Sequence, residues 1–282
     1  MPQFIRSRRF SPLFVILLTA LLAVQCKPSG APTALEDGDS IRVRFSLQPE
    51  EVLRYKGAST TEMNFYGMEI RNVHTDEITM TMREKTEEGN FTIRIKFDKS
   101  SDQLIRSGEM YEQSNPVKPE GRTVEVDITP TGEIDQARGV IPGLQDGGLK
   151  DYLSKWFAEL PENAVAVGQS WEEDTSDSTE NVKMEGSFTM TLKGIGEEKG
   201  IRVGYMTGTG VITVLQETAA GEINGESSAD IEAAVALDGG YVVNYKVESD
   251  FSGTMTGVNP QTAKKESTEV SRSSYTTVDL LR

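Results

Sequence analysis

The chain has 282 residues, with 44 acidic and 29 basic side chains, a formal net charge of −15 and one cysteine, Cys26. Nucleic acid is a poor partner for so acidic a chain, because phosphate binding needs concentrated positive charge. One cysteine forms no internal disulfide, and with a single histidine, His74, the sequence predicts no metal site and no cofactor.

Residues 1–25 are typical of a secretory signal peptide. Three arginines, Arg6, Arg8 and Arg9, precede the run LFVILLTALLAV, whose twelve residues include only one polar side chain. A run of this length matches the apolar region of a signal peptide and is too short for a stable bilayer span. The pattern therefore predicts that the chain is exported.

The end of this run, Leu22 to Cys26, resembles a bacterial lipobox, at which a signal peptidase cuts before a lipid-bearing cysteine. Gln25 departs from the pattern, since a small residue usually precedes the cysteine. Residues 26–40 are rich in Pro, Gly, Ser and Asp, as flexible tethers are. We expect lipidation at Cys26, with the membrane as partner through those acyl chains. This places the protein in a bacterial envelope, at the outer membrane, with the domain periplasmic or surface-exposed; a soluble secreted protein is the alternative.

The remaining residues, 41–282, alternate apolar and polar side chains at the period of two that half-buried strands show. This predicts a mainly β domain, a curved antiparallel sheet or meander with one covering helix. The clearest strand segments are IRVRFSLQ (41–48), ITMTM (78–82), FTIRIKF (91–97), TVEVDI (123–128), SFTMTLKGI (187–195), IRVGYMTGTGVITVL (201–215), SADIEAAVAL (228–237), YVVNYKVES (241–249) and SSYTTVDLL (273–281). The charged turn REKTEEGN (83–90) predicts a hairpin, and Asp238-Gly239-Gly240 predicts a tight turn.

One segment, residues 146–160, instead repeats its apolar residues at helical spacing. Asp146 can cap the start of this helix, and Pro161 cannot continue it. Its apolar stripe and a nearby tryptophan are candidates to cover the sheet or, alternatively, to line an apolar ligand site. These residues are Leu149, Tyr152, Leu153, Trp156, Phe157 and Trp171.

Two short segments of similar sequence, which we call the internal echo, lie in the two parts of the domain. TMTMR (79–83) and TMTLK (189–193) lie 110 positions apart, and a pair of glutamates follows each. Two similar β halves, 41–145 and 162–282, joined by the helix, would explain the echo. Charged hairpins in a threonine-rich protein are the other explanation.

Two stretches, GRTVEVDITPTGEID (121–135) and LPENAVAVGQSW (160–171), resemble elements of uncharacterised β-rich bacterial envelope lipoproteins. The shared features are a strand followed by Pro-x-Gly, and the pattern LP-x-x-x-V-x-V-G-x-x-W. The resemblance implies an envelope lipoprotein and assigns no activity. Both stretches also have a structural interpretation, in which Gly132 makes a turn and Gly168 makes a bend that aims Trp171 inward.

The sequence shows no recognisable catalytic constellation. No nucleophile elbow or phosphate-binding loop accompanies His74, which we interpret as a surface histidine. We therefore expect a non-enzymatic, anchored module that binds another component of the envelope. The alternative hypothesis is a carrier that holds an apolar, lipid-like ligand between the curved sheet and the helix.

Overall fold

A computed structural model describes residues 40–111, 116–144, 148–178, 182–218, 221–258, 262 and 264–281. The predicted signal peptide, Cys26 and the tether up to residue 39 lie outside these residues. Within the described part of the chain, strands dominate and the one helix is α1 (Leu149–Ser154). No helix among the described residues is long and apolar enough to cross a bilayer.

The mainly β architecture predicted from the alternating pattern is confirmed. The strands are β1 (Ser40–Ile41), β2 (Val52–Phe65), β3 (Met68–Lys85), β4 (Phe91–Arg106), β5 (Glu109–Tyr111), β6 (Thr123–Ile128), β7 (Ile134–Arg138), β8 (Val165–Ala166), β9 (Ser170–Ser178), β10 (Val182–Glu198), β11 (Ile201–Thr218), β12 (Gly221–Ala236), β13 (Val242–Val258) and β14 (Lys265–Leu281). Twelve of them form one antiparallel sheet in the order β7-β6-β4-β3-β2-β14-β13-β12-β11-β10-β9, with β5 on β4. Strands β1 and β8 pair separately.

The large sheet has two wings that meet at the β2–β14 ladder. The N-terminal wing holds β2 to β7, and the C-terminal wing holds β9 to β14. The ladder between them runs from the Val270–Phe65 pair to the Leu281–Arg54 pair, so the two wings share one hydrogen-bonded surface. The strands of the wings, 52–138 and 170–281, lie within the two predicted halves, and the division of the domain into related halves stays a prediction.

A bulge lies at the last residue of each copy of the internal echo, Arg83 and Lys193. The β3–β4 ladder shifts register between Met82 and Glu84, and the β10–β11 ladder shifts between Leu192 and Gly194. The two bulges are therefore 110 positions apart, the same interval as the echo. Extra residues at equivalent points increase the local twist of both hairpins in the same way.

The sheet has a buried inner face, which is mostly apolar but includes Arg272, Ser274 and Thr276 on β14, and an exposed outer face that is mostly polar. On β14 every second residue from Val270 to Leu280 is buried, and the residues between them are mostly exposed. The same alternation places Ala229 on the inner face and Ser228 on the outer face of β12. The inner face supplies most of the core. An apolar ligand of this domain would therefore bind on the inner face of the sheet.

Residues 42–48 do not form the predicted strand. The backbone N–H of Phe45 donates to the carbonyl of Pro130 at 2.8 Å, and that of Ser46 donates to the carbonyl of Gly239 at 2.9 Å. The segment is thus an extended strap between a turn of each wing, and only the two residues before it pair as β1. Apolar and polar side chains alternate in this segment because every second side chain is buried against the sheet, although residues 42–48 are not a strand of it. The buried residues are Val43, Phe45 and Leu47.

The predicted helix over 146–160 is wrong in length, because α1 ends at Ser154. The N–H groups of Trp156 and Phe157 donate to carbonyls three residues earlier, which tightens the chain into turns after the helix. Farther on, the N–H of Leu160 donates to the carbonyl of Thr131 at 2.8 Å, so contacts with another part of the chain replace helical bonds. Asp146, the predicted cap, lies outside the described residues.

The two stretches that resemble envelope lipoproteins contact each other directly at this point. Gly132 has a φ of +87°, and a Cβ there would lie 2.1 Å from the carbonyl oxygen of Ala158. Only glycine fits both the left-handed backbone and the close approach. The Pro-x-Gly turn therefore packs against the segment that follows α1. This confirms the interpretation that Gly132 makes a turn.

Candidate functional site

The space directly beneath α1 is filled. Trp156 is 1% exposed, and a Cβ on Gly57 of β2 would lie 2.6 Å from its Cη2 atom. Its ring centroid is 6.1 Å from that of Tyr55, and Leu153 is fully buried beside it. The glycine leaves room for the indole on the sheet, so Trp156, Tyr55 and Leu153 pack together as core at this point.

The other candidate residues are less deeply placed. Leu149 and Tyr152 are half-buried against the same core cluster, whereas Phe157 is buried and borders a cleft described below. Trp171 is half-buried, and its indole N–H donates to Oε1 of Glu173 at 2.8 Å. Gly168 has the positive φ expected of a bend, and Trp171 packs at the margin of a core cluster.

A cluster of polar side chains lies where α1 meets the N-terminal wing, and we call it the His74 cluster. Oδ2 of Asp76 accepts hydrogen bonds from His74 Nε2 at 2.8 Å, the Tyr152 hydroxyl at 3.0 Å and Lys155 Nζ at 3.1 Å. On its other side, His74 Nδ1 is 3.7 Å from Oδ1 of Asp102. The interpretation of His74 as a surface residue is wrong, since its side chain is only 13% exposed.

Burial and charge act in opposite directions on the pKa values in this cluster. Burial alone would raise the pKa of Asp76, but Lys155 and His74 outweigh it and hold that pKa well below its usual range. For His74, burial would lower the pKa, but the neighbouring carboxylates of Asp102 and Asp76 raise it above the usual 6.5. Burial and the Asp76 charge raise the pKa of Tyr152, which stays protonated and acts as a donor. The cluster is thus a set of opposite charges that secures α1.

We expect stability to fall as pH rises through the raised His74 pKa. A folded-state pKa above the unfolded value of about 6.5 means that the folded state binds the proton more tightly, so the stabilisation is full below that value and is lost above the folded pKa. The measurement is urea unfolding at a series of pH values, followed by circular dichroism. His74→Gln should flatten the profile in this window, whereas an unchanged profile would contradict the role of His74.

An apolar cleft, which we call the Phe188 cleft, lies between the segment after α1 and the inner face of the C-terminal wing. It encloses about 80 Å³ and opens to solvent at one side. Apolar side chains line most of it, and a few polar ones lie among them. The lining residues are Ser154, Lys155, Phe157, Ala158, Glu159, Glu173, Phe188, Met190, Met206, Ala229, Ile231, Ala233, Tyr245 and Val247.

Glycines lower the floor of the cleft. Phe188 and Met190 of β10 pair with Gly210 and Gly208 of β11. A Cβ on Gly210 would lie 2.4 Å from the Phe188 ring, and one on Gly208 would lie 2.1 Å from the Met190 sulfur. The two large side chains therefore lie flat across the neighbouring strand, where any other residue would push them up into the cleft.

The described residues hold no group of histidine, cysteine and carboxylate side chains that could bind a metal ion. The polar side chains that line the Phe188 cleft are instead those of a serine, a tyrosine, a lysine and two glutamates. Few polar groups among many apolar ones are typical of sites for small apolar or amphiphilic molecules.

No protein-family model matches the chain, and no curated protein matches it. A solved structure of lipovitellin, described in terms of its lipid–protein interactions, is similar in fold, with a TM-score of 0.51 and 10% sequence identity. The similarity covers 83% of this chain and 25% of the lipovitellin chain, so the chain spans about a quarter of the length of that protein. At this identity the likeness concerns the fold alone.

Proposed function

We propose that the chain is a non-enzymatic bacterial envelope lipoprotein whose β domain holds an apolar, lipid-like ligand in the Phe188 cleft. The observation that carries this proposal is the cleft itself, an apolar recess on the inner face beside α1. The sequence predicted an apolar ligand site between the sheet and the helix. Side chains fill the space under α1, so we propose that the ligand binds beside α1, in the Phe188 cleft. The similarity of fold to lipovitellin supports the same class of ligand.

The cleft must widen to accept an acyl chain. Its volume of about 80 Å³ is about half of the roughly 150 Å³ of a cavity that holds a benzene molecule. Met190 and Met206 line it, and unbranched methionine side chains adapt their shape to different contents. We therefore expect ligand entry to move these side chains away from the segment after α1, with the sheet itself unchanged.

The first test is retention of lipid by the full chain carrying Cys26→Ala, which separates bound lipid from covalent lipid. Solvent extraction and mass spectrometry of the purified protein should find noncovalent lipid. Ala229→Phe places a large side chain in the cleft and should reduce the lipid content severalfold. Ser228→Phe makes a similar change on the outer face of the same strand and should retain the lipid. Equal lipid in both variants, or none in the parent chain, would contradict the proposal.

The second test concerns the anchor, for which the support is the arginine-flanked apolar run and the position of Cys26 after it. We expect Cys26→Ala to abolish incorporation of labelled palmitate. Gln25→Gly, which restores the usual small residue before the cysteine, should label at least as well as the natural sequence. Palmitate labelling that persists in Cys26→Ala would overturn the anchor.

A further inference from the structure

The hydroxyl of Tyr245 is the polar group that the Phe188 cleft offers to a ligand. We propose that the cleft selects uncharged amphiphiles with an oxygen acceptor beside the apolar part, as in an ester or a ketone, and that the Tyr245 hydroxyl donates to this oxygen. This inference rests on the proposed function, and it adds the chemical class of the ligand and a residue that determines specificity.

Packing holds the Tyr245 side chain in place. Tyr245 lies on the inner face of β13, two residues before Val247, and it pairs with Ala233 of β12; all three residues line the cleft. The tyrosine side chain packs against each of three apolar clusters of the core. A side chain fixed by so many contacts loses little further freedom when a ligand binds, so its hydroxyl is a preorganised donor.

The other polar side chains of the cleft are engaged within the protein. The Ser154 hydroxyl donates to a backbone carbonyl of α1 at 2.8 Å, and Lys155 Nζ donates to the buried carboxylate of Asp76 at 3.1 Å. Oε1 of Glu173 accepts an indole N–H at 2.8 Å, and Glu159 also has an interaction partner. A ligand would have to displace these partners to bind the four groups, so they contribute little to recognition.

The Tyr245 hydroxyl differs from these groups and from the hydroxyls of two other tyrosines of the core. Tyr55 donates to the carbonyl of Val242 at 3.0 Å, and Tyr152 donates to Oδ2 of Asp76 at 3.0 Å. For the Tyr245 hydroxyl, the described residues supply no hydrogen-bond partner. A donor without an acceptor in a mostly apolar recess costs free energy, and a ligand oxygen that accepts from it removes that cost.

The surroundings of this hydroxyl favour a ligand without charge. Burial and then the negative charges of Glu159 and Glu173 raise the pKa of Tyr245 above its usual value of 10, so the hydroxyl stays protonated at neutral pH. A charged head group would lose hydration in the cleft without gaining a counter-charge, because the ionic groups there already have partners. An uncharged acceptor leaves those partners in place, and its apolar part lies over Phe188 and Met190.

The test compares acetophenone with α-methylstyrene, which has the same shape but carries a methylene where acetophenone has its carbonyl oxygen. Binding to the full chain carrying Cys26→Ala is followed by nuclear magnetic resonance of isotope-labelled methionine methyl groups, since Met190 and Met206 line the cleft. We expect Tyr245→Phe to weaken acetophenone binding by about three- to tenfold and to change α-methylstyrene binding by less than about twofold. Methyl decanoate extends the comparison to a lipid-like ester and should show the same loss as acetophenone.

Two controls separate recognition from structure. Tyr275→Phe removes the hydroxyl of an exposed tyrosine on the outer face of β14 and should leave the binding of both probes unchanged. Without ligand, Tyr245→Phe should not lower the free energy of unfolding, because a hydroxyl that holds the fold together would need a partner in the protein.

Two results would overturn this inference and leave the proposed function standing. They are an equal response of the two probes to Tyr245→Phe, with shifts at Met190 and Met206 in the parent chain, and a loss of stability in Tyr245→Phe without ligand. If no probe shifts these methionine signals in the parent chain, the result counts against both proposals.

Discussion

Asp76→Ala is expected to lower the free energy of unfolding by about 3–5 kcal/mol, one of the two largest effects among the substitutions considered. Its Oδ2 atom accepts hydrogen bonds from His74, Tyr152 and Lys155, and the carboxylate has no exposed surface. Removing this carboxylate leaves the mostly buried ammonium of Lys155 without the acceptor that it has in Asp76. Urea unfolding followed by circular dichroism measures the loss.

Two further variants make the Asp76 result specific. Asp98→Ala removes a more exposed carboxylate that pairs with Lys96, and it should cost less than about 1 kcal/mol. Adding Lys155→Met to Asp76→Ala removes the stranded charge and should recover part of the loss, because an apolar side chain of similar size tolerates burial. A cost for Asp76→Ala no larger than that of Asp98→Ala would contradict the importance of the cluster.

Trp156→Ala is expected to cost a similar 3–5 kcal/mol, since it empties the space between α1 and β2. The indole is 1% exposed and lies directly over Gly57, so the sheet offers no side chain that could move into the gap. The same unfolding measurement applies, with circular dichroism chosen because the substitution removes a fluorophore.

The other tryptophan provides the matched control for this change. Trp171 is half-buried at the margin of its cluster, and Trp171→Ala should cost about 1–2 kcal/mol, chiefly from lost apolar burial and one hydrogen bond. If the two substitutions cost the same, Trp156 would not be the residue that fastens α1 to the sheet.

The sequence pattern contained part of the His74 cluster. The period of two that places Ile78, Met80 and Met82 on the inner face continues back to Asp76 and His74. Extending the alternation would have placed both residues in the interior and corrected the interpretation of His74 as a surface histidine. Their partners on and after α1 lie more than seventy positions farther along the chain, and periodicity does not show where a helix docks.

Strand β2 is a long strand that the sequence pattern did not predict. Its inner face carries Gly57, Ser59 and Thr61 in succession, so the alternation of apolar residues is interrupted. The small glycine is needed because Trp156 occupies the space above it. A distant side chain thus explains a local break in the pattern, just as the bond from Leu160 to Thr131 explains why the predicted helix ends early.

The β2–β14 ladder has a consequence for how the domain folds. Strand β14 follows every other strand in chain order, yet it lies at the middle of the sheet and pairs with β2, about two hundred positions earlier. Contacts so distant in sequence form slowly, and until β14 arrives the edges of β2 and β13 remain open to other chains. Until β14 inserts, the domain therefore has two aggregation-prone strand edges at this position, and its last strand in chain order is the one that removes both.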